Sequence, residues 1–211
     1  MKTILKTLFT FFVTLYAKLV SYNLLRSLQV KRNIIYTMWI RNFIGSLGTK
    51  SYINYPCSIQ GDGAENITIG NKTCIQSHGI LGCWSKYGEQ HFSPSISIGD
   101  DCNIGEYVHI SSCNKIVVGN GLLTGRFVYI GDNSHGALSY EESTIPPQKR
   151  KLISKGQVNI GNNVWIGDKV TILGNVNIGD NVIIGANSVV LQDIPSNSIA
   201  AGVPARVVKI L

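Results

Sequence analysis

Several things are scarce in this 211-residue chain, and each absence narrows what it can be. Residues 1–50 contain no Asp or Glu against eight Lys and Arg, so this segment alone carries +8 while the rest of the chain sums to −1. The overall +7 therefore belongs to an N-terminal arm. A basic surface spread over the whole molecule, of the kind that binds nucleic acid, is not indicated. No uncharged apolar run approaches the ~20 residues that a bilayer-spanning helix needs. The longest candidate, between Lys6 and Lys18, is far shorter, and Tyr16-Ala17-Lys18 after it makes a poor signal-peptide cleavage site. The five cysteines (Cys57, Cys74, Cys83, Cys102, Cys113) are odd in number and form no C-x-x-C pair. That argues against a disulfide framework or a metal site and fits small buried side chains in a reducing, cytoplasmic setting.

What is present is a repeat. From Val158 to Leu191 the chain reads VNIGNNVWIGDKVTILGNVNIGDNVIIGANSVVL, with Ile160, Ile166, Ile172, Ile178, Ile184 and Val190 at a spacing of six. At about 100° per residue a helix would scatter such positions over three faces, so the period is not helical. The aliphatic positions are β-branched, and most are followed by Gly with Asn or Asp, residues that tolerate the positive φ of a sharp corner. Each hexad reads as one short strand plus one corner. Three hexads close a triangular coil with its aliphatic residues inward, and stacked coils pair at the usual ~4.8 Å strand spacing. The expected fold is thus an all-β solenoid, and a β-sandwich with its longer strand spacing fits the period poorly.

Taken in order, the chain divides into a basic helical arm over residues 1–50 and a solenoid over 51–211. Ile4, Leu5, Leu8, Phe11, Phe12, Leu15 and Leu19 form a helical stripe. Its apolar side either lies on an anionic membrane surface, through residues 1–30, or covers the end of the solenoid or a neighbouring subunit. A second apolar-basic stretch from Asn33 to Leu47 closes the arm. Hexads begin near Ile67, break between Gly79 and Ser95, resume at Ile98, and vanish again in the loop 131–157. That loop is polar, contains Pro146-Pro147 and the cations Lys149, Arg150, Lys151 and Lys155, and opens on a histidine. Loops of this length inside compact domains are usually functional or disordered.

The order of the non-repetitive residues resembles a known family. Ile130-Gly131-Asp132-Asn133-Ser134-His135-Gly136 precedes the loop. Val164-Trp165-Ile166-Gly167 follows it, then Ile184-Gly185-Ala186-Asn187-Ser188 and Ala200-Ala201-Gly202-Val203-Pro204-Ala205-Arg206. Over roughly residues 65–211 this succession is similar to the hexapeptide-repeat acyltransferases, in the branch that includes maltose, galactoside and bacterial polysaccharide O-acetyltransferases. The resemblance implies a left-handed parallel β-helix and a homotrimer whose donor sites are shared between neighbours. It also implies acetyl-CoA as donor, a sugar or glycan hydroxyl as acceptor, and no metal.

On that resemblance His135 is the catalytic base, a role suited to a side chain that titrates near neutrality. Trp165, Gly167, Asp168 and Ala186 would lie along the pantetheine arm of the donor, and Arg206 and Lys209 would meet its phosphates. Leu191 and Gln192 stand where related enzymes often have Thr-Lys, so one phosphate contact is expected to be missing or replaced. His109, Asn114 and Asp132 are candidates for the acceptor side, with Glu106, Asp132 or, equally, a backbone carbonyl as candidates to orient the His135 imidazole. The segment Ser111-Ser112-Cys113-Asn114 lacks the acidic pair of the maltose and galactoside enzymes, and the loop after His135 is longer than theirs. Both departures point to a larger acceptor, such as a cell-surface glycan or its lipid-linked precursor, handled in the cytoplasm or at the inner membrane face. Transfer to the amine of an amino sugar is the alternative within the fold. A zinc hydratase or a non-catalytic solenoid is disfavoured by the irregular spacing of His78, His91, His109 and His135 and by the intact His and Arg motifs.

Overall fold

The computed structural model describes residues 2–137 and 139–211; Met1 of the arm and Leu138 of the loop lie outside the described residues. Two helices come first, α1 (Lys2–Leu19) and α2 (Tyr22–Ile40), with Ser21 capping α2 by accepting from the Leu24 N–H at 3.2 Å. The solenoid begins at Ser46–Leu47, so the arm ends earlier than residue 50 and Leu47 already belongs to the first coil. Among the described residues the strands build six complete coils of three short strands each. Equivalent strands stack in parallel into three faces. Face A carries Ser46–Leu47, Ile67–Ile69, Ser95–Ile98, Lys115–Val118, Val158–Ile160 and Val176–Ile178. Face B runs from Tyr52–Ile53 through Trp165–Ile166 and Ile183–Ile184 to Ser198–Gly202, and face C from Ser58–Gln60 to Val189–Val190. The solenoid is a left-handed parallel β-helix.

The hexad chemistry explains the stack. Inward positions such as Ile75, Ile104 and Ile166 on face B and Leu81, Ile110, Ile130 and Ile172 on face C are fully buried and form one continuous apolar column. The Gly-Asn and Gly-Asp pairs at the corners have two separate jobs. The glycine allows adjacent coils to touch: a Cβ on Gly161 would sit 2.5 Å from the Asp180 carboxylate of the next coil. The Asn or Asp then receives the backbone N–H of the preceding coil, in a ladder from Asn71 to Asp100 (2.7 Å), Asp100 to Asn120 (2.8 Å), Asn120 to Asn162 (2.9 Å) and Asn162 to Asp180 (2.6 Å). Corner donors that would otherwise be orphaned are satisfied coil by coil.

Two excursions interrupt the coils. The first is shorter than the hexad pattern suggested. Ile80–Cys83 is a regular face C strand, and only residues 84–94 leave the coil, as a hairpin of Lys86–Tyr87 against Gln90–His91. The second is the long loop, which leaves face C after Gly131. Asn133–His135 pairs antiparallel with Leu152–Ser154, and the short helix α3 (Tyr140–Ser143) lies between them. The cysteines are all free thiols, with Cys83, Cys102 and Cys113 buried and Cys57 and Cys74 half-buried. Burial pushes the Cys57 thiol up to about 11 and, with added repulsion from nearby carboxylates, Cys83 and Cys113 to about 12. None is a ready nucleophile.

Candidate active site

The outward row of face C next to the loop holds Gln60, Gly82, Ser111 and Gly131 in register. Glycine at two of these positions leaves room against the sheet. A Cβ on Gly82 would come within 2.8 Å of the Trp84 ring, and one on Gly131 within 2.2 Å of the Tyr129 hydroxyl. Those two aromatic side chains lie over the bare backbone. With Gln60, Tyr87, His109, Ser111, Asn133, Ser134, His135 and Leu152 they line a cleft of about 420 Å³. His135 stands exposed at its rim, at the end of the strand that leaves the coil.

Asp132 fixes that departure. It is only 1% exposed, and its carboxylate accepts from Ser112 Oγ (2.6 Å), Cys113 N–H (2.9 Å), Asn114 N–H (3.0 Å) and Asn133 Nδ2 (3.2 Å). A carboxylate so occupied is turned into the coil, so Asp132 neither faces the acceptor nor touches the imidazole. It is an anchor for the strand that presents His135. Asn114 is likewise displaced from its expected role. Its side chain donates to Ser154 Oγ at 3.3 Å at the base of the loop and does not line the cleft. Glu106 pairs with Arg126 at 2.8 Å on a different corner. His109 does line the cleft, its ring set edge-on to Tyr129 with centroids 5.3 Å apart, and burial lowers its pKa.

The residue that contacts the His135 imidazole comes from the first excursion, 48 positions earlier. The Tyr87 hydroxyl donates to the Gln148 carbonyl at 2.7 Å and lies 3.2 Å from His135 Nδ1. A phenol has one proton. With that proton committed to Gln148, the Tyr87 oxygen can only accept from His135, which places the imidazole proton on Nδ1 and leaves the Nε2 lone pair free. The hydrogen-bond network therefore assigns the tautomer that a general base needs. The hairpin is held rigidly enough to do this. Asp62 accepts from the Ser85 and Lys86 N–H groups at 3.0 and 3.1 Å. The Gln90 amide makes two bonds to the Leu152 backbone, at 3.1 and 2.7 Å, as a strand would.

The residues expected along the donor lie elsewhere on the chain, on face B. Trp165 is 52% exposed and shares an outward row with Leu123 and Ile183, which continues through Ile199 to Lys209. Arg206 and Lys209 are three apart on the last strand, Ala205–Ile210, a spacing that ordinarily points two side chains to opposite faces. A bulge opposite Ile199/Ala200 inserts one residue between them, so Arg206 pairs with Ala201 and Lys209 with Ile199, both on the outward side. Trp165 and the two cations thus face the same way. Gly167 is a close-approach position, since its Cβ would lie 2.6 Å from the Ala186 nitrogen. Asp168 accepts from the Arg126 N–H at 2.8 Å as part of a corner ladder. Ala186, Leu191 and Gln192 are exposed on the later coils. His78 stacks on Tyr107 at 4.5 Å, and His91 sits in the hairpin opposite Lys86. Among the described residues no group of three or more His, Cys, Asp or Glu side chains is arranged to hold a metal ion.

Comparison with known proteins matches residues 157–192 to the family model described as bacterial transferase hexapeptide (six repeats). A protein named for lipopolysaccharide biosynthesis O-acetyl transfer, WbbJ of Escherichia coli (strain K12), is 34% identical over 165 residues, covering 74% of this chain and 77% of that protein. Among solved structures, a maltose O-acetyltransferase from Clostridium difficile 630 superposes with a TM-score of 0.53 at 27% identity, over 82% of this chain and 72% of its own. A point mutant of the Bacillus cereus N-acyltransferase AntD, in complex with dTDP and coenzyme A, superposes with a TM-score of 0.60 at 25% identity, over 77% of this chain and 82% of its own.

Proposed function

This chain belongs to the hexapeptide-repeat acyltransferases, and on that premise we propose that it moves the acetyl group of acetyl-CoA to a sugar hydroxyl of a cell-surface glycan or its precursor. The observation that carries the reading is the Tyr87–His135 contact. It supplies an unprotonated Nε2 at the rim of a cleft whose walls are aromatic (Trp84, Tyr129) and whose remaining groups are small and polar. Flat rings against C–H faces, with hydroxyl and amide groups around them, suit a sugar.

In the reaction the acceptor hydroxyl attacks the thioester carbonyl while His135 Nε2 takes its proton. The tetrahedral intermediate collapses with cleavage of the C–S bond, and the imidazolium returns the proton to the departing thiolate. The Nδ1–H stays on Tyr87 throughout, and the contact strengthens as the ring becomes charged. Trp165 walls the acyl end of the donor, while Arg206 and Lys209 meet its phosphates. These residues lie on face B and His135 leaves from face C, so one chain does not enclose both substrates. A trimer, in which the donor row of one copy faces the His135 cleft of the next, brings them together.

Transfer to nitrogen is the second reading, prompted by the AntD superposition. An acceptor panel of glycans, amino sugars and simple sugars, followed by free thiol release from acetyl-CoA, tests both. Acetyl groups that mild hydroxylamine removes from the product are esters and support the proposal. Hydroxylamine-stable product formed only with amino sugars replaces it with N-transfer.

A further inference from the structure

The strongest feature left unused by the catalytic reading is the arm. Helix α1 buries none of its residues, and Leu5, Leu8, Phe9, Phe12, Tyr16 and Leu19 are all exposed. Helix α2 is anchored only near its C-terminal end. There the Thr37 hydroxyl accepts the Ile53 N–H at 3.1 Å and lies in donating reach of the Asn33 and Ile53 carbonyls, at 2.8 and 3.0 Å, and the Tyr36 hydroxyl donates to the Cys57 carbonyl. The arm's second half therefore caps coil one, and its first half projects away from the solenoid.

From these observations we infer that α1 docks on an anionic lipid bilayer, lying in the interface with its cations toward the headgroups. Three features specify the occupant. First, no acidic residue precedes Asp62, whereas Lys2, Lys6, Lys18, Arg26, Lys31, Arg32, Arg41 and Lys50 all do, so the electrostatic match is to a negative surface. Second, Thr7, Thr10 and Thr14 share the side of α1 opposite the apolar stripe with Lys6 and Lys18, so the helix has one apolar and one cationic side. Third, no single helix is long and apolar enough to cross a membrane; α1 and α2 reach that length and composition only together, as a pair bent by 55°, and α2 is tied to coil one, which leaves α1 to lie in the interface. Tyr22, exposed where α2 meets α1, is an amphipathic ring of the kind favoured at headgroup depth. The dock would hold the cleft near glycan precursors carried on lipid.

The test is flotation of the full chain with vesicles of phosphatidylcholine alone or mixed with phosphatidylglycerol, alongside two full-length variants. Because α1 contributes nothing to the core, L8D/F12D and K2Q/K6Q/K18Q should keep the wild-type thermal melt. Wild type should float with the anionic vesicles. L8D/F12D should bind at least about tenfold more weakly. The lysine variant should lose about fivefold per cation removed, with the loss abolished in high salt. Wild type left at the bottom of the gradient overturns the inference, as does equal binding by all three proteins. A change of oligomeric state in L8D/F12D without vesicle binding would show instead that another copy covers α1. Thiol release with a soluble acceptor should be unchanged in both variants, which separates failure of the dock from failure of the catalytic reading.

Discussion

Replacing Tyr87 with Phe removes one oxygen and keeps the ring. In the resting enzyme that oxygen accepts the Nδ1–H of His135 at 3.2 Å and donates to Gln148 at 2.7 Å. A neutral hydrogen bond is worth about 0.5–1.5 kcal/mol net, and one to a charged partner about 1.5–3 kcal/mol. The imidazole becomes charged only as the acceptor proton moves. The part of the loss specific to the transition state is therefore the difference, about 1–1.5 kcal/mol, or roughly tenfold in kcat. Solvent at the rim weakens the contact, so tenfold is the upper end. KM for either substrate should change little, because Tyr87 acts through His135. Thiol-release kinetics read kcat and KM. Nitrogen NMR of the histidine rings reads the tautomer, which should move from Nδ1–H toward Nε2–H in the variant. In a His135→Ala background, Tyr87→Phe should cost nothing further. Unchanged kcat together with an unchanged tautomer would refute the positioning argument. A loss of the same size in both backgrounds would show that Tyr87 acts elsewhere.

Other expectations follow from the same geometry. Arg206→Ala and Lys209→Ala should each raise KM for acetyl-CoA about three- to tenfold with kcat nearly unchanged, whereas deleting Val208, the unpaired residue of the bulge, leaves both cations outward on a regular strand and should leave KM nearly unchanged. Asp132→Ala strips the partner from a hydroxyl and two backbone N–H groups in the buried or half-buried coil. It should lower stability by about 1–3 kcal/mol in chemical denaturation and reduce kcat by loosening the His135 strand. His109 is held below its ordinary pKa of 6.5 by burial, so the unfolded chain binds a proton that the folded chain refuses. Stability should be flat above about pH 6.5 and fall as pH drops from there through the lower folded value, and His109→Gln should flatten that part of a melting-temperature profile.

The solenoid was legible in the sequence because its determinants are local. An inward Ile every sixth residue and a Gly-Asn or Gly-Asp corner between them specify a coil without reference to distant residues. The order of His135 and Trp165 around the loop marked both as candidates, and the structure sets one at the rim of the cleft and the other exposed on face B. What could not be read depends on contacts across the fold. Tyr87 lies in a stretch with no recognisable pattern, and contacts from distant residues, Asp62 to the hairpin backbone and Gln90 to Leu152, bring it to the imidazole. Asp132 was a candidate to orient the imidazole. Ser112, Cys113 and Asn114 instead offer its carboxylate three donors inside the coil, and the Asn133 amide adds a fourth. Arg206 and Lys209 have a spacing that should separate them, and a bulge that no residue type advertises reunites them. The arm was partly legible. Its charge and stripe left open whether it lies on a membrane or covers the solenoid, and only the structure divides it into a half that caps coil one and a half that buries nothing.

The central claim is that His135 is the base in acetyl transfer to a glycan hydroxyl. The most direct test is turnover of His135→Ala against wild type, followed by thiol release from acetyl-CoA with the best acceptor of the panel, on protein shown by its melting curve to be folded. The expected result is a loss of at least about 10²-fold in kcat with KM for acetyl-CoA little changed. Near-wild-type turnover by the folded variant would contradict it.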